Sequence, residues 1–233
     1  MAEIKIRGEL RFCRLLQMGI SMQSRYASTT MIGAPQIRCA LASAALAVLA
    51  GCGSPPVFTA AGLNQAYENA LEATEPPVAI IFAAGDPAEQ VMLERLEDFF
   101  AEMTPATVRD KTATVYAPDG WLYDNLTAIA GREQIEAYFV KAAGEVDALR
   151  VEFMQVSKDG PDYFVRWRMS IVTEALNDGA PIVSYGVTHF RFNKQGQVLV
   201  HRDFWDAGTG LYEYLPGLGG LIQRARAALA GES

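Results

Sequence analysis

The chain has 233 residues, half of them hydrophobic, with 20 Lys+Arg against 27 Asp+Glu and a net charge of −7. An acidic balance of this kind disfavours nucleic acid as a partner, because phosphate binding needs a basic surface. The length beyond the N-terminal segment suits one domain with a real hydrophobic core.

Residues 39–51, "CALASAALAVLAG", form an unbroken run of small and apolar side chains behind Arg38. A short apolar run between a positive flank and small residues reads as a secretory signal. It is too short to span a bilayer, which takes about 20 residues. Its end, Leu49-Ala50-Gly51-Cys52, resembles the lipobox of bacterial lipoproteins. The resemblance implies that Cys52 is lipidated and becomes the mature N-terminus, anchoring the protein to a membrane of the cell envelope on its periplasmic or extracellular face. Met22 or Met31 would make a more ordinary start for such a signal. From Cys52 onward there are 14 basic and 25 acidic residues, a net charge of −11. No thiol other than Cys52 lies in that part, so no disulfide framework is expected. The expected organisation is a signal over 1–51, a tether over 52–86 and a domain with a helical tail over 87–233.

Within the tether the sequence allows a short helix around 63–73, and "VAIIFAAG" is apolar enough to pack on the domain. Asp86-Pro87 is a helix start. Val91, Leu93, Leu96, Phe99, Phe100 and Met103 then recur near helical spacing. A second helix is expected over 105–116, "APDGWLYDN" reads as a turn into a short extended piece, and a third helix covers 131–145. From Leu149 the period becomes two. Strands are expected near 148–158, 162–175, 181–193 and 197–206, joined by "KDGP", "NDGAP" and "NKQGQ", which carry the glycine or asparagine of tight hairpins. Helices followed by an antiparallel meander indicate an α+β fold with helices covering one sheet face. The tail is two helical pieces broken at Pro216-Gly217. Its leucines close the domain, meet a dimer partner or, less readily, lie on the membrane.

The order of elements, with "YDNLTAIAGREQIEAYF" ahead of a meander ending in "HRDFWD", resembles the SnoaL-like branch of the nuclear transport factor 2-like superfamily. The resemblance implies a cone: a strongly curved, mostly antiparallel sheet wraps the N-terminal helices and leaves an apolar pocket. Motif by motif the match is best with limonene epoxide hydrolases. Tyr123-Asp124-Asn125 stands for that family's Tyr-x-Asn, and Asp203 in His201-Arg202-Asp203-Phe204-Trp205-Asp206 falls on a catalytic aspartate. Arg166-Trp167-Arg168 stands where an Arg-x-Asp is expected, so the second catalytic aspartate is replaced by arginine. Epoxide opening needs one carboxylate for water and an acid for the departing oxygen, and epoxide hydrolysis is therefore not carried over.

Strand alternation puts Leu199, His201, Asp203 and Trp205 on one face. An imidazole, a carboxylate and an indole there suit cofactor-free proton transfer, with Asp203 as base and His201 as its partner; alternatively the pair only satisfies itself in a polar patch. On the second strand, alternation gives Val165, Trp167, Met169 and Ile171 the apolar face. Arg168 is read as outward, and Arg166 stays open as a partner of Asp203. Tyr123, Asn125, Arg166 and Trp205 are the substrate-binding candidates, although Tyr123 and Asn125 equally suit a turn and cap. His189 reads as a packed or surface residue. His201-x-Asp203 lacks further ligands for a metal, and no phosphate-binding glycine loop is present. The resulting expectation is an envelope lipoprotein that binds a small apolar molecule in a pocket of roughly several hundred Å³. As an enzyme it would be an isomerase, cyclase or hydratase, and a homodimer is expected. The alternative is a noncatalytic dimerisation or protein-interaction module. No cofactor is called for.

Overall fold

The computed structural model describes residues 59–231. The lipobox and Cys52 lie outside the described residues. Among these, no helix is long and apolar enough to cross a membrane.

Three helices pack inside the fold: α2 (Pro87–Ala101), α3 (Pro105–Val115) and α4 (Arg132–Gly144), with α1 (Ala60–Ala73) preceding them. The helix starts follow from local chemistry. The Asp86 side chain accepts from the Ala88 amide with Pro87 at the first helical position. Thr104 and Thr107 cap each other reciprocally ahead of α3. Each such cap satisfies amides that the helix itself leaves unpaired, worth about 1 kcal/mol.

The strands are β1 (Tyr116–Tyr123), β2 (Ala128–Ala130), β3 (Ala148–Asp159), β4 (Asp162–Val172), β5 (Ile182–Phe192) and β6 (Val198–Trp205). They form one open six-stranded sheet in the order β2-β1-β6-β5-β4-β3. Of these strands, β1 and β6 run parallel to each other and the remaining neighbours pair antiparallel. The fold is thus α+β with a mostly antiparallel sheet around N-terminal helices, as the cone reading expects. Irregularities between Phe153 and Gln155, between Arg191 and Phe192, and between Tyr116 and Trp121 bend it.

The main core lies between the helices and the inner sheet face. Leu96, Phe99 and Phe100 of α2 and Ile135 and Phe139 of α4 meet Val165, Phe190 and Phe192 there. Each large apolar side chain buried in this way contributes about 1.5–3 kcal/mol.

One segment departs from expectation. "APDG" belongs to β1, not to a turn. Gly120 lies so near β6 that a Cβ there would meet the Val198 carbonyl oxygen at 2.9 Å, so a turn-like composition serves a bulged strand making a close approach. Part of the expected tether packs on the domain, in line with the helix near 63–73 and the apolar "VAIIFAAG". Tyr67, Ala70 and Leu71 of α1 and buried Ala79 sit against Ala117, Leu199 and Val200 on the outer sheet face. The Ile80 amide donates to the Phe192 carbonyl at 2.8 Å. An amphipathic helix with an apolar stripe has this face to bury, which a free linker lacks.

After β6 the tail makes a short helical turn at Ala207–Gly210, and a last helix, α5, spans Gly219–Ala230. Leu211, Leu215 and Leu218 pack with Leu176 and Ile182. Beyond them α5 is largely exposed, with Leu221 and Leu229 in solvent.

Candidate functional site

A cavity of about 150 Å³ opens between α2, α4 and the inner sheet face. It is smaller than the several hundred Å³ expected, because Phe100, Phe139, Phe153, Trp167, Phe190 and Trp205 fill the cone with aromatic rings. A volume of this order holds one ring-sized molecule. Leu211 joins the lining, so the start of the tail contributes to the wall.

β6 and β5 supply the polar centre. Asp203, His201 and Trp205 all line the cavity, as alternation within that strand end implies. Leu199 does not share their face. It is the extra residue of the bulge opposite Arg191 and Phe192, so it turns to the outer cluster while Val198 stays in the main core.

The hydrogen bonds around Asp203 form a directed chain. Buried Tyr116 meets His201 Nδ1 at 2.7 Å, and His201 Nε2 meets Asp203 Oδ1 at 2.9 Å. Burial holds the Tyr116 phenol well above its ordinary pKa, and the Asp203 charge adds to that, so it keeps its proton. The neutral imidazole with its proton on Nε2 fits both bonds, with Nδ1 accepting from Tyr116 and Nε2 donating to Asp203. From the other side Trp167 Nε1 donates to Thr188 Oγ1 at 2.7 Å. The Thr188 hydroxyl donates to the same Asp203 Oδ1 in a short contact. Both bonds land on Oδ1, and among the described residues no side chain bonds Oδ2. Gly186 makes room for this arrangement, since a Cβ there would meet Trp167 at 2.4 Å.

A second carboxylate lines the same cavity: Asp124, which the motif comparison passed over. Its Oδ1 accepts from the Leu126 and Thr127 amides at 3.0 Å each. Its Oδ2 accepts a short hydrogen bond from the Tyr138 hydroxyl. Burial pushes the Asp124 carboxyl above its usual range, the bond from Tyr138 pulls partly back, and the charge of Asp203 raises it again. Alternation contained the signal. Leu122 is fully buried in the main core, so the residue two positions on shares its side of the strand.

The other candidates lie elsewhere. Tyr123 stacks under Arg202 on the outer face, with the guanidinium 3.6 Å from its ring centre. Asn125, in a left-handed conformation at φ 72°, donates from Nδ2 to the Trp205 carbonyl at 3.0 Å. Its Oδ1 accepts from Arg202 Nη1 at 2.8 Å. It ties the turn carrying Asp124 to the strand carrying Asp203 and does not meet the cavity. Arg166 is exposed on the outer face and leans on Met154 Sδ at 3.4 Å. It does not pair with Asp203, because Trp167 takes the inner face, as the plain alternation of β4 requires. Among the described residues no three His, Cys, Asp or Glu side chains gather as a metal ion would need.

Residues 94–201 match the family described as the SnoaL-like domain. The chain carries a SnoaL-like domain. Solved structures similar to it include an LEH-like epoxide hydrolase from M. tuberculosis, at 14% identity, covering 59% of this chain and 92% of that one with a TM-score of 0.45. TsrD from Streptomyces laurentii is similar at 17% identity over 58% of this chain and all of its own, with a TM-score of 0.46. A nuclear transport factor 2-like protein of unknown function from Exiguobacterium sp. 255-15 is 15% identical over 49% of this chain and 98% of that one, at a TM-score of 0.41. No curated protein matches. The SnoaL-like match runs from α2 to His201, so it takes in Asp124 and Tyr138 and stops just before Asp203.

Proposed function

We propose that the SnoaL-like domain takes a small, mostly apolar molecule of about one ring into this cavity and moves a proton on it without a cofactor. The observation that carries this reading is the pair of unlike carboxylates in one aromatic cavity. Asp203 keeps an oxygen toward the ligand and is held in place by His201 and Thr188. Asp124 is buried, which pushes its carboxyl above the ordinary range, and is paired with Tyr138. Unlike carboxylates in one site divide into base and acid. Asp203 Oδ2 takes a proton from one atom of the ligand while Asp124 gives a proton to another. The net change is an isomerisation or cyclisation, and exchange with water restores both groups; in a hydration Asp203 takes its proton instead from a water whose oxygen bonds to the ligand. His201 positions the base through Nε2–H. Native mass spectrometry of purified Cys52→Ser protein tests the reading. A co-purifying small molecule, or uptake of ring-sized probes such as toluene, supports it. A cavity that takes up neither overturns it.

The same proposal places the domain on the envelope side of a membrane through a lipid on Cys52. Membrane fractionation should find the native protein in the pellet and the Cys52→Ser variant in the soluble fraction.

A second reading, an interface with another copy of the chain, draws on the outer sheet face. Phe164, Tyr185 and Phe204 lie there with large exposed areas, beside Met154. Light scattering after chromatography tests it. A dimer that Tyr185→Glu converts to monomer supports this reading, and a native monomer at high concentration removes it.

A further inference from the structure

The cavity wall has a one-sided hydrogen-bonding inventory. Tyr138 donates to Asp124. Trp205 Nε1 donates to the Asp124 carbonyl at 2.8 Å. Trp167 donates to Thr188, while Thr188 and His201 both donate to Asp203. Apart from the proton of the proposed acid Asp124, every side-chain donor lining the cavity is thus engaged within the protein. What remains as an acceptor for a ligand is carboxylate oxygen, foremost Asp203 Oδ2. A ligand seated here must bring donors. Among the described residues no Lys or Arg lines the cavity. A carboxylate taken largely out of water needs a compensating positive charge.

The same sheet shows what such a carboxylate looks like when completed. On the outer face Tyr67 meets His189 Nδ1 at 2.6 Å, and His189 Nε2 meets Asp162 Oδ1 at 2.7 Å. These atoms repeat the inner Tyr116–His201–Asp203 chain. Asp162, however, also takes Arg191, with Nε on Oδ1 at 2.5 Å and Nη2 on Oδ2 at 3.3 Å. The inner triad has the same three residue types, its carboxylate is bonded by no Lys or Arg among the described residues, and it lines a ring-sized space walled by aromatic rings. Aromatic faces also attract organic cations. The net charge of −11 from Cys52 onward favours the approach of cations over anions.

We infer that the ligand of this cavity is a small organic amine that enters as its ammonium ion, donates to Asp203 Oδ2 and lays its apolar body against Trp167, Phe190 and Trp205. The inference rests on the proposed use of the cavity as a ligand site. It names the chemical class of that ligand.

The test is calorimetric titration of the full chain with benzylamine, benzyl alcohol and toluene, which share a ring and differ in charge and donors. Benzylamine, protonated at neutral pH, should bind at least about tenfold tighter than the other two, the difference between a charge-assisted hydrogen bond and a neutral one or none. Asp203→Asn should remove that advantage and leave toluene binding unchanged, which also shows that the variant is folded. Asp203→Glu, which keeps the charge, should retain a preference for benzylamine. Equal binding of all three probes, or an unchanged benzylamine affinity in Asp203→Asn, overturns the amine inference while the ligand cavity stands. Binding of none of them overturns the ligand cavity itself, and the inference with it.

Discussion

The chain has two histidines, and each forms the middle of a Tyr–His–Asp chain on opposite faces of one sheet. On the outer face His189 is covered by α1, whose Tyr67 reaches it, and its partner Asp162 is clamped by Arg191. Arg191 goes on to donate to the Leu71 carbonyl at 2.7 Å and to Thr74, so the cluster ties α1 to β5. On the inner face His201 is as deeply buried, but the Asp203 carboxylate is bonded by no Lys or Arg among the described residues and borders the cavity. Identical local chemistry therefore does two things. Where a guanidinium completes the carboxylate, the triad fastens a helix. Where the carboxylate is left open beside an apolar space, it can receive a ligand.

The largest expected effect breaks the outer member. Arg191 has 8% of its side-chain surface exposed and depends on Asp162 for countercharge. Asp162→Asn leaves that guanidinium buried without one, so urea denaturation should show a loss of about 3 kcal/mol. Asp203→Asn removes no buried pair and keeps an oxygen for Thr188 and His201, so its cost should stay below about 1 kcal/mol. Equal losses in the two variants would mean that the faces do not differ in the way described.

Acid should separate the faces next, because their pKa shifts have opposite sign. His189 is held below its ordinary value of 6.5, mainly by burial. Burial alone would raise Asp162, but the hydrogen bonds from Arg191 and His189 outweigh it and hold that carboxyl below its ordinary 3.8. For both groups the unfolded chain binds protons first as pH falls. Stability is therefore lost below the ordinary histidine value and again below the ordinary carboxylate value. Asp124 is raised, so the folded state holds its proton longer. Its contribution is present below its ordinary value and is lost as pH rises through the folded one. Denaturation at several pH values should show that His189→Gln flattens the slope just below the histidine value, and that Asp124→Asn costs more at low pH than at neutral pH. Opposite trends would contradict the assigned environments.

How much of this was legible in the sequence differs by element. The four meander strands came close to their observed bounds, because period-two alternation and glycine-bearing hairpins are local signals. Trp167 and Met169 on the inner face followed from the same alternation. Asp203, His201 and Trp205 share the cavity because no bulge interrupts that strand after His201. Leu199 failed because it is itself the extra residue of a bulge, and a bulge leaves no mark in the alternation. Tyr123, Asn125 and Arg166 were placed by motif matching, which carries residue types across but not facing. Asp124 sits between two matched residues and was hidden by them. The outer triad was illegible for another reason: Tyr67 and His189 are 122 positions apart, and no local pattern announces such a meeting. The parallel pairing of β1 with β6 is equally non-local.

The smallest effect separates the two tyrosines. Each hydroxyl meets Nδ1 of its histidine, but Tyr116 is fully buried and Tyr67 is not. Tyr67→Phe opens Nδ1 of His189 at a partly accessible helix contact, where water can replace the lost donor, and should cost about 0.5 kcal/mol. Tyr116→Phe leaves Nδ1 of His201 without a donor inside the core, which should cost about 1–2 kcal/mol. It also releases the tautomer. With Nδ1 no longer held as an acceptor, the ring proton is free to leave Nε2, and Asp203 Oδ1 then loses one of its two donors. Amine affinity should consequently fall a few-fold in Tyr116→Phe and stay unchanged in Tyr67→Phe, as read by the same titration with benzylamine. Equal affinities in the two variants would show that Tyr116 supports the core alone and that His201 orients Asp203 without its help.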